Sequence, residues 1–419
     1  TIHDKINNIF SNAINNIYKT NKIIKSSINP TNLILYKFLY AQEHTTKQEI
    51  VSSVNYNNKT TFEASSYYRK ENNINIDFYK NIFIDLQTLY FDICNKYNIN
   101  TSLSFLNKDN NKDNNKDNNK DNEIKLIAID GTYAHTDVNR QKQTLQTTLF
   151  MSYFDINNQI PIDITCCLKS INNEVNKADE WIQNFKNDNY KKYIVVADRA
   201  YYSFCFIKQL IDNKIDFVIR IKNNINMNCK KNLIKKYVLD NCKIIKNISV
   251  INKKVFSKKH DKHVIIKCTN EHNYITNSKQ YTDIDISEIY KKRWDIEVFF
   301  KLLKSNFKFK DIRETKETNI NKLIFIELII ILITKILKIY YFNKNKSTNS
   351  NKIKINESNL LKGMFRELIK DIINSKLTKD IIDNFTRTYI LQIKNGDNRN
   401  FERVSLRTFS KWYVKKYLN

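Results

Sequence analysis

The spacing of apolar residues changes character several times along the chain. Over residues 1–106 apolar positions recur every three or four residues, most regularly in Thr31–Gln42, Thr46–Val54 and Ile76–Asn98, which predicts a helical N-terminal region. Within it, Thr46–Val54, a turn at Asn55–Thr60 and Thr61–Lys70 have the layout of a helix-turn-helix, with Thr46 and Thr61 as N-caps. On that reading residues 1–106 bind DNA. Residues 107–122 are four copies of Asn-Lys-Asp-Asn; with no apolar residue to bury, they are expected to form a disordered linker.

The rhythm then shortens. Glu123–Asp130 is a nearly continuous apolar run, as in a strand covered on both faces, and ends at Asp130. Thr147–Asp155 and Gln159–Leu168 alternate like strands of a hairpin joined at Asn157-Asn158. A helix over Lys177–Asn187, a strand over Tyr193–Ala197, a helix over Ser203–Asn213 and a strand over Asp216–Ile221 follow. Residues 222–282 break this alternation with lysine-rich β-like runs at Ile244–Val250 and His263–Cys268, which predicts a β-rich insertion. One helix is expected from about Ile286 to Phe307, and 316–419 reads as a helical C-terminal region. Residues 123–315 thus form an α/β domain. The apolar run Leu323–Phe342 is interrupted by Glu327, Lys335 and Lys338, so a buried helix is expected rather than a membrane span.

Composition adds a partner. Seventy Lys and Arg against 43 Asp and Glu give a net charge of +27, which favours a polyanion such as double-stranded DNA. A bias toward Asn, Lys, Ile and Tyr raises the lysine count, but it does not produce the deficit of acids. Seven cysteines without paired spacing, and no cleavable signal, fit reduced thiols in a cytosolic or nuclear compartment. Cys229, Cys242, His260, His263, Cys268 and His272 lack the C-x2-C pair usual in zinc sites and are expected to be incidental.

Three segments carry chemistry. Ile127–Thr132 places Asp130 at a strand end, before one of only three glycines; Val195–Tyr201 places Asp198 after a second strand. On the third, a helix, Tyr290, Arg293, Glu297, Lys301 and Lys304 share one face at about 100° per residue. Two strand aspartates and a helical glutamate make a hard-oxygen site for two Mg2+ ions, with Mn2+ substituting, the arrangement phosphoryl transfer on nucleic acid requires. Asp130, Asp198 and Glu297 are therefore the candidate catalytic and metal-ligating residues. Tyr290, Arg293, Lys301, Lys304, Arg199 and Tyr201 are the candidate DNA contacts. The remaining acids, including Asp137, Asp155, Asp163, Asp179 and Asp295, are expected to be solvated or capping. No Gly-rich phosphate loop, nucleophile elbow or Cys/His pairing is present.

Asp-Gly-Thr, Asp-Arg-Ala-Tyr and Tyr-x2-Arg-x3-Glu-x6-Lys, with Ser66-Tyr67-Tyr68-Arg69-Lys70 upstream, resemble the DDE transposases of bacterial insertion sequences that bear the YREK signature, the insertion-sequence-four type. The resemblance runs from about residue 64 to about 315. It implies an RNase H-like mixed sheet flanked by helices, interrupted by a β-rich insertion where 222–282 lies. It also implies cut-and-paste transposition: nicking at inverted-repeat ends, then attack of a 3′-hydroxyl on target DNA, by a homodimer on paired ends. Some members flip a base against a tryptophan of the insertion; here the tryptophans are Trp181, Trp294 and Trp412, leaving Phe256 or Tyr274 for that role. Ala200 stands where many relatives have Gly. An RNase H-like nuclease without strand transfer, and a decayed or domesticated DNA-binding protein, are the alternative readings.

Overall fold

The computed structural model describes residues 1–20, 28–42, 46–97, 99, 124–136, 146–167, 174–185, 192–222, 233–257, 262–312, 314, 316–344, 353–355 and 357–392. The Asn-Lys-Asp-Asn tract lies outside them. The described chain is mixed α/β and divides into two units, Thr1–Tyr193 with Lys292–Ile393, and Ile194–Lys291.

The first unit opens with five helices, α1 (Ile2–Thr20), α2 (Pro30–Tyr40), α3 (Lys47–Asn58), α4 (Ala64–Glu71) and α5 (Ile76–Lys96). Their starts are set by local chemistry. Asn29 caps α2 by accepting the Thr31 N–H at 2.9 Å, and Pro30 fills the first helical position, where no donor is needed. Thr46 and Glu49 form a reciprocal capping box on α3. Thr61 is not the cap of the next helix: α4 begins at Ala64 after Glu63, which makes no side-chain capping bond. Asn55 instead organises the α3–α4 turn, donating to the Phe62 carbonyl at 2.6 Å and accepting from Thr60 and Tyr67.

Three strands and a helix follow: β1 (Lys125–Thr136), β2 (Gln146–Asp155), β3 (Ile160–Cys167) and α6 (Glu174–Asn184). β2 pairs antiparallel with both β1 and β3. The hairpin turn lies at Asn157-Asn158 as expected. Asn158 bonds both Asp155 oxygens, and Asn157 accepts the Leu126 N–H at 2.7 Å. Asp155, expected to be solvated or capping, caps this turn while fully buried. β1 does not end at Asp130. It continues to Thr136, with Asp130 opposite Ser152 in the ladder, because Gly131 admits a close neighbour and Thr132 and Tyr133 favour extended backbone.

The second unit contains β4 (Tyr193–Ala197), α7 (Phe204–Asp212), β5 (Asp216–Ile221), α8 (Leu233–Asn241), β6 (Lys243–Ser257), β7 (Lys262–Thr276) and α9 (Asp283–Lys292). β4 and β5 are parallel, joined through α7, and both carry the nearly unbroken apolar runs of covered strands. The insertion is more regular than its sequence suggests. β6 and β7 form one antiparallel hairpin of fifteen-residue strands, and β5 pairs with Asn273–Thr276 of β7.

The chain returns to the first unit with α10 (Trp294–Asn306), β8 (Asp311–Ile312), α11 (Glu317–Lys344), β9 (Ile353–Ile355), α12 (Glu357–Gly363), a π turn at Met364–Leu368, α13 (Ile369–Ile373), α14 (Lys379–Tyr389) and β10 (Ile390–Gln392). The single helix expected over 286–307 is two, α9 and α10, which meet at Arg293. β8 extends the β1 edge in parallel. Beyond the expected helices, β9 and β10 pair with each other. From Leu328 to Ile333 every residue of α11 is at most 2% exposed, so this helix is apolar on all sides because all sides are covered, by α2, α5, α12, α14 and β3. No described helix is long and apolar enough to cross a membrane.

One charged cluster is buried in this unit. Lys37 lies 3.3 Å from Glu71 and 3.5 Å from Glu314, and Lys322 lies 3.3 Å from Glu71; none of the four side chains is more than 2% exposed. Tyr79 donates to Glu71, and Tyr68 and Asn319 donate to Glu314. Buried charges persist only when paired and hydrogen-bonded in this way. The network joins α2, α4, α5 and α11 to the segment that follows β8.

Candidate active site

Asp130 is brought to the site by β1, whose Leu126–Ile129 run is fully buried. Its Oδ1 accepts the Gly131 N–H at 2.9 Å. Its Oδ2 accepts from Arg293 Nη1 at 3.1 Å. The other arm of the same guanidinium, Nη2, donates to Glu297 Oε1. One arginine therefore joins the strand carboxylate to the helix carboxylate. Their side chains are 18% and 33% exposed, with the arginine between them at 11%.

The rest of α10 explains why Glu297 faces this way. Phe299 and Leu303 are buried on the far side of the helix, with Ile296 and Phe300 buried on the flanks, and Phe299 stacks on Phe154 of β2 with ring centroids 5.0 Å apart. Asp295, expected to be solvated or capping, accepts from Gln159 Nε2 at 2.7 Å and so latches the helix start to the β2–β3 turn. No local pattern in the sequence signals that latch. Lys301 is exposed. Lys304 is half-buried, and the desolvation lowers its pKa from the ordinary lysine value.

Asp198, Arg199, Tyr201 and Tyr290 belong to the second unit. Asp198 follows β4 as expected, and its Oδ1 accepts the Ala200 N–H at 2.7 Å, capping the short turn Arg199–Tyr201. Arg199 is exposed. Tyr201 is not: its side chain is fully buried with its ring against Phe206, so it supports the turn and offers no surface to DNA. Tyr290 is half-buried, its ring 4.9 Å from that of Tyr274 on β7.

Two hard carboxylates side by side are donor chemistry that suits a hard divalent cation, and the pair already holds one positive charge, the Arg293 guanidinium. Among the described residues no three His, Cys, Asp or Glu side chains gather closely enough to hold a metal. Of the residues considered for zinc, Cys229 and His260 lie outside the described chain.

Residues 121–333, half of the chain, match the family described as the transposase DDE domain, and the chain belongs to that family. The mixed α/β architecture agrees with an RNase H-like fold, and members of the family generally use divalent metal ions. The chain is also similar to a putative transposase for insertion sequence element IS4SA from Synechocystis sp., with 32% identity over 147 residues. That match takes in 35% of this chain and 41% of the relative, so the chain spans less than half of that protein's length.

Proposed function

We propose that this protein is a DNA transposase that moves an insertion sequence by cut and paste, hydrolysing phosphodiesters at the element's inverted-repeat ends and joining the freed 3′-hydroxyls to target DNA. The observation that carries this reading is the meeting of Asp130 and Glu297 on one guanidinium in a chain of the transposase DDE family. Asp130 and Glu297 would hold the metal, Mg2+ with Mn2+ substituting, two ions per site. Asp198 is proposed as the third ligand from its Asp-Arg-Ala-Tyr motif alone, since the described carboxylates do not gather into a group of three. When bound, the ions supply Lewis acidity at the attacking and leaving oxygens.

The chain's own residues do the rest. Buried β1 and the Phe154–Phe299 stack hold the two carboxylates in fixed relation, which keeps the reorganisation needed during reaction small. Arg199 and Lys301, both exposed, grip phosphates on either side of the scissile bond, and Lys304 and Tyr290 contribute from half-buried positions. The net charge of +27 draws the duplex in. The working form is a homodimer on paired ends, in the nucleoid.

The test is incubation of purified protein with its flanking DNA, with and without Mg2+, followed by analysis of product termini. Nicked ends and a joined product are expected. Glu297→Gln should abolish cleavage by about three orders of magnitude, the equivalent of losing several kcal/mol of charge stabilisation, while end binding stays measurable. Undiminished metal-dependent nicking by that variant would refute the assignment; nicking without a joined product would reduce the protein to a nuclease.

A further inference from the structure

The contact that defines the site also constrains how it is loaded. Arg293 spends both terminal nitrogens of its guanidinium on Asp130 and Glu297, from a nearly buried position at the α9–α10 junction. Its backbone stays helical there (φ −53°, ψ −30°), and its side chain reaches the carboxylates. The oxygens it holds, Asp130 Oδ2 and Glu297 Oε1, belong to the two carboxylates read as metal ligands. A cation seated on them would stand within a few ångströms of the guanidinium, and like charges at that range repel strongly in a part-buried site.

We propose that Arg293 is a built-in counter-ion that occupies the metal-binding carboxylates before loading and must be displaced by the metal. This inference rests on the reading of Asp130 and Glu297 as metal ligands. Without Arg293 the two carboxylates would face each other without the charge that reconciles them, so the arginine holds the site open and shaped. On loading, the fork loses its two acceptors, and the group that matches it next best is a phosphate of bound DNA, which accepts the same pair of N–H donors. Metal and DNA are then linked through one side chain. DNA draws Arg293 off the carboxylates and tightens metal binding, and by reciprocity metal tightens DNA binding.

The test is Mn2+ binding measured by calorimetry and by electron paramagnetic resonance, with no catalytic readout. It uses the full chain, with and without a DNA duplex carrying the element end, in the wild type, Arg293→Gln, Arg293→Lys and Asp130→Asn. Without DNA, R293Q should bind Mn2+ about tenfold more tightly than the wild type. Adding DNA should tighten Mn2+ binding by the wild type by a similar factor and leave R293Q nearly unchanged. R293K, which keeps the charge but loses the two-armed grip, should fall between them without DNA, and it carries the test should R293Q fail to fold. Equal or weaker Mn2+ binding by the arginine variants would overturn the counter-ion role while leaving the metal site standing. Mn2+ binding unaffected by D130N would instead overturn the metal-site reading, and the counter-ion with it.

Discussion

Gly131 lies directly beneath Glu174: a Cβ on this glycine would meet Glu174 Cδ at 2.8 Å and Leu149 Cδ1 at 3.0 Å. The glycine next to the candidate catalytic aspartate is thus approached closely by side chains of α6 and β2, and its φ is not positive, so any need for glycine here comes from that approach. Tyr133, two residues on, donates to the same Glu174 carboxylate at 3.3 Å. Gly131→Ala should destabilise the protein by about 1–3 kcal/mol in urea titration, the usual cost of overpacking. Unchanged stability would mean that Glu174 swings aside freely.

Asp198 has two possible duties, and one substitution separates them. As found, it caps the Arg199–Tyr201 turn through the Ala200 N–H. Asparagine caps equally well but is a poor ligand for a hard divalent cation. Asp198→Asn should therefore keep stability within about 0.5 kcal/mol of the wild type while end cleavage drops about a thousandfold. Full cleavage by this variant would reduce Asp198 to a turn residue.

Glu327 sits in the middle of α11, 1% exposed, and its Oε2 has no hydrogen-bond partner among the described residues. Burial pushes its pKa well above the ordinary carboxylate value, so the folded chain holds it protonated where the unfolded chain would ionise it. The sign follows: this site weakens the fold progressively as pH rises above about 4.5, the range in which the unfolded chain gives up the proton. Glu327→Leu should raise stability by about 1–3 kcal/mol, more at pH 8 than at pH 5. Denaturation midpoints at the two pH values check this, and a destabilised leucine variant would point to a specific role for the acid.

Glu357 behaves in the opposite sense. Burial alone would raise its pKa, but the ammonium groups of Lys335 at 2.9 Å and Lys338 at 2.7 Å outweigh it and bring the carboxyl down to about 2. Stability from this pair of contacts is fully present above the unfolded value near 4.5 and is lost as pH falls from there toward 2. A depression of that size corresponds to about 3 kcal/mol at most. Glu357→Gln should flatten this part of the acid-unfolding curve; an unchanged curve would show that other carboxylates govern acid unfolding.

Much of the architecture was legible because local chemistry decided it. The bounds of β4 and β5 follow from short apolar runs, the start of α3 from Thr46 and Glu49, and the β2–β3 turn from its paired asparagines. Tertiary forces decided the rest. Gly131 reads as a breaker, yet pairing with β2 carries β1 past it. The helix break at Arg293 comes with a side chain drawn to carboxylates on two elements, which periodicity along one helix cannot register. The clearest gap is the buried cluster of Lys37, Glu71, Glu314 and Lys322, whose members are scattered across most of the chain and individually look like surface residues. At the candidate site, residue types and spacing marked the carboxylates and the arginine. They gave no hint that Tyr201 is sealed away or that Asp295 is tied to Gln159.

The β6–β7 hairpin has a mechanical corollary. β5 supports its base at Asn273–Thr276, so the stretch from Lys262 to His272 and its partner strand runs on for roughly 35 Å with, among the described residues, only the opposite strand of the pair bonded to each. A ribbon two strands wide is barely self-sustaining in water. Its outer amides should therefore exchange with solvent sooner than those of β1 or β4, and any macromolecule laid along it would stiffen it like a splint.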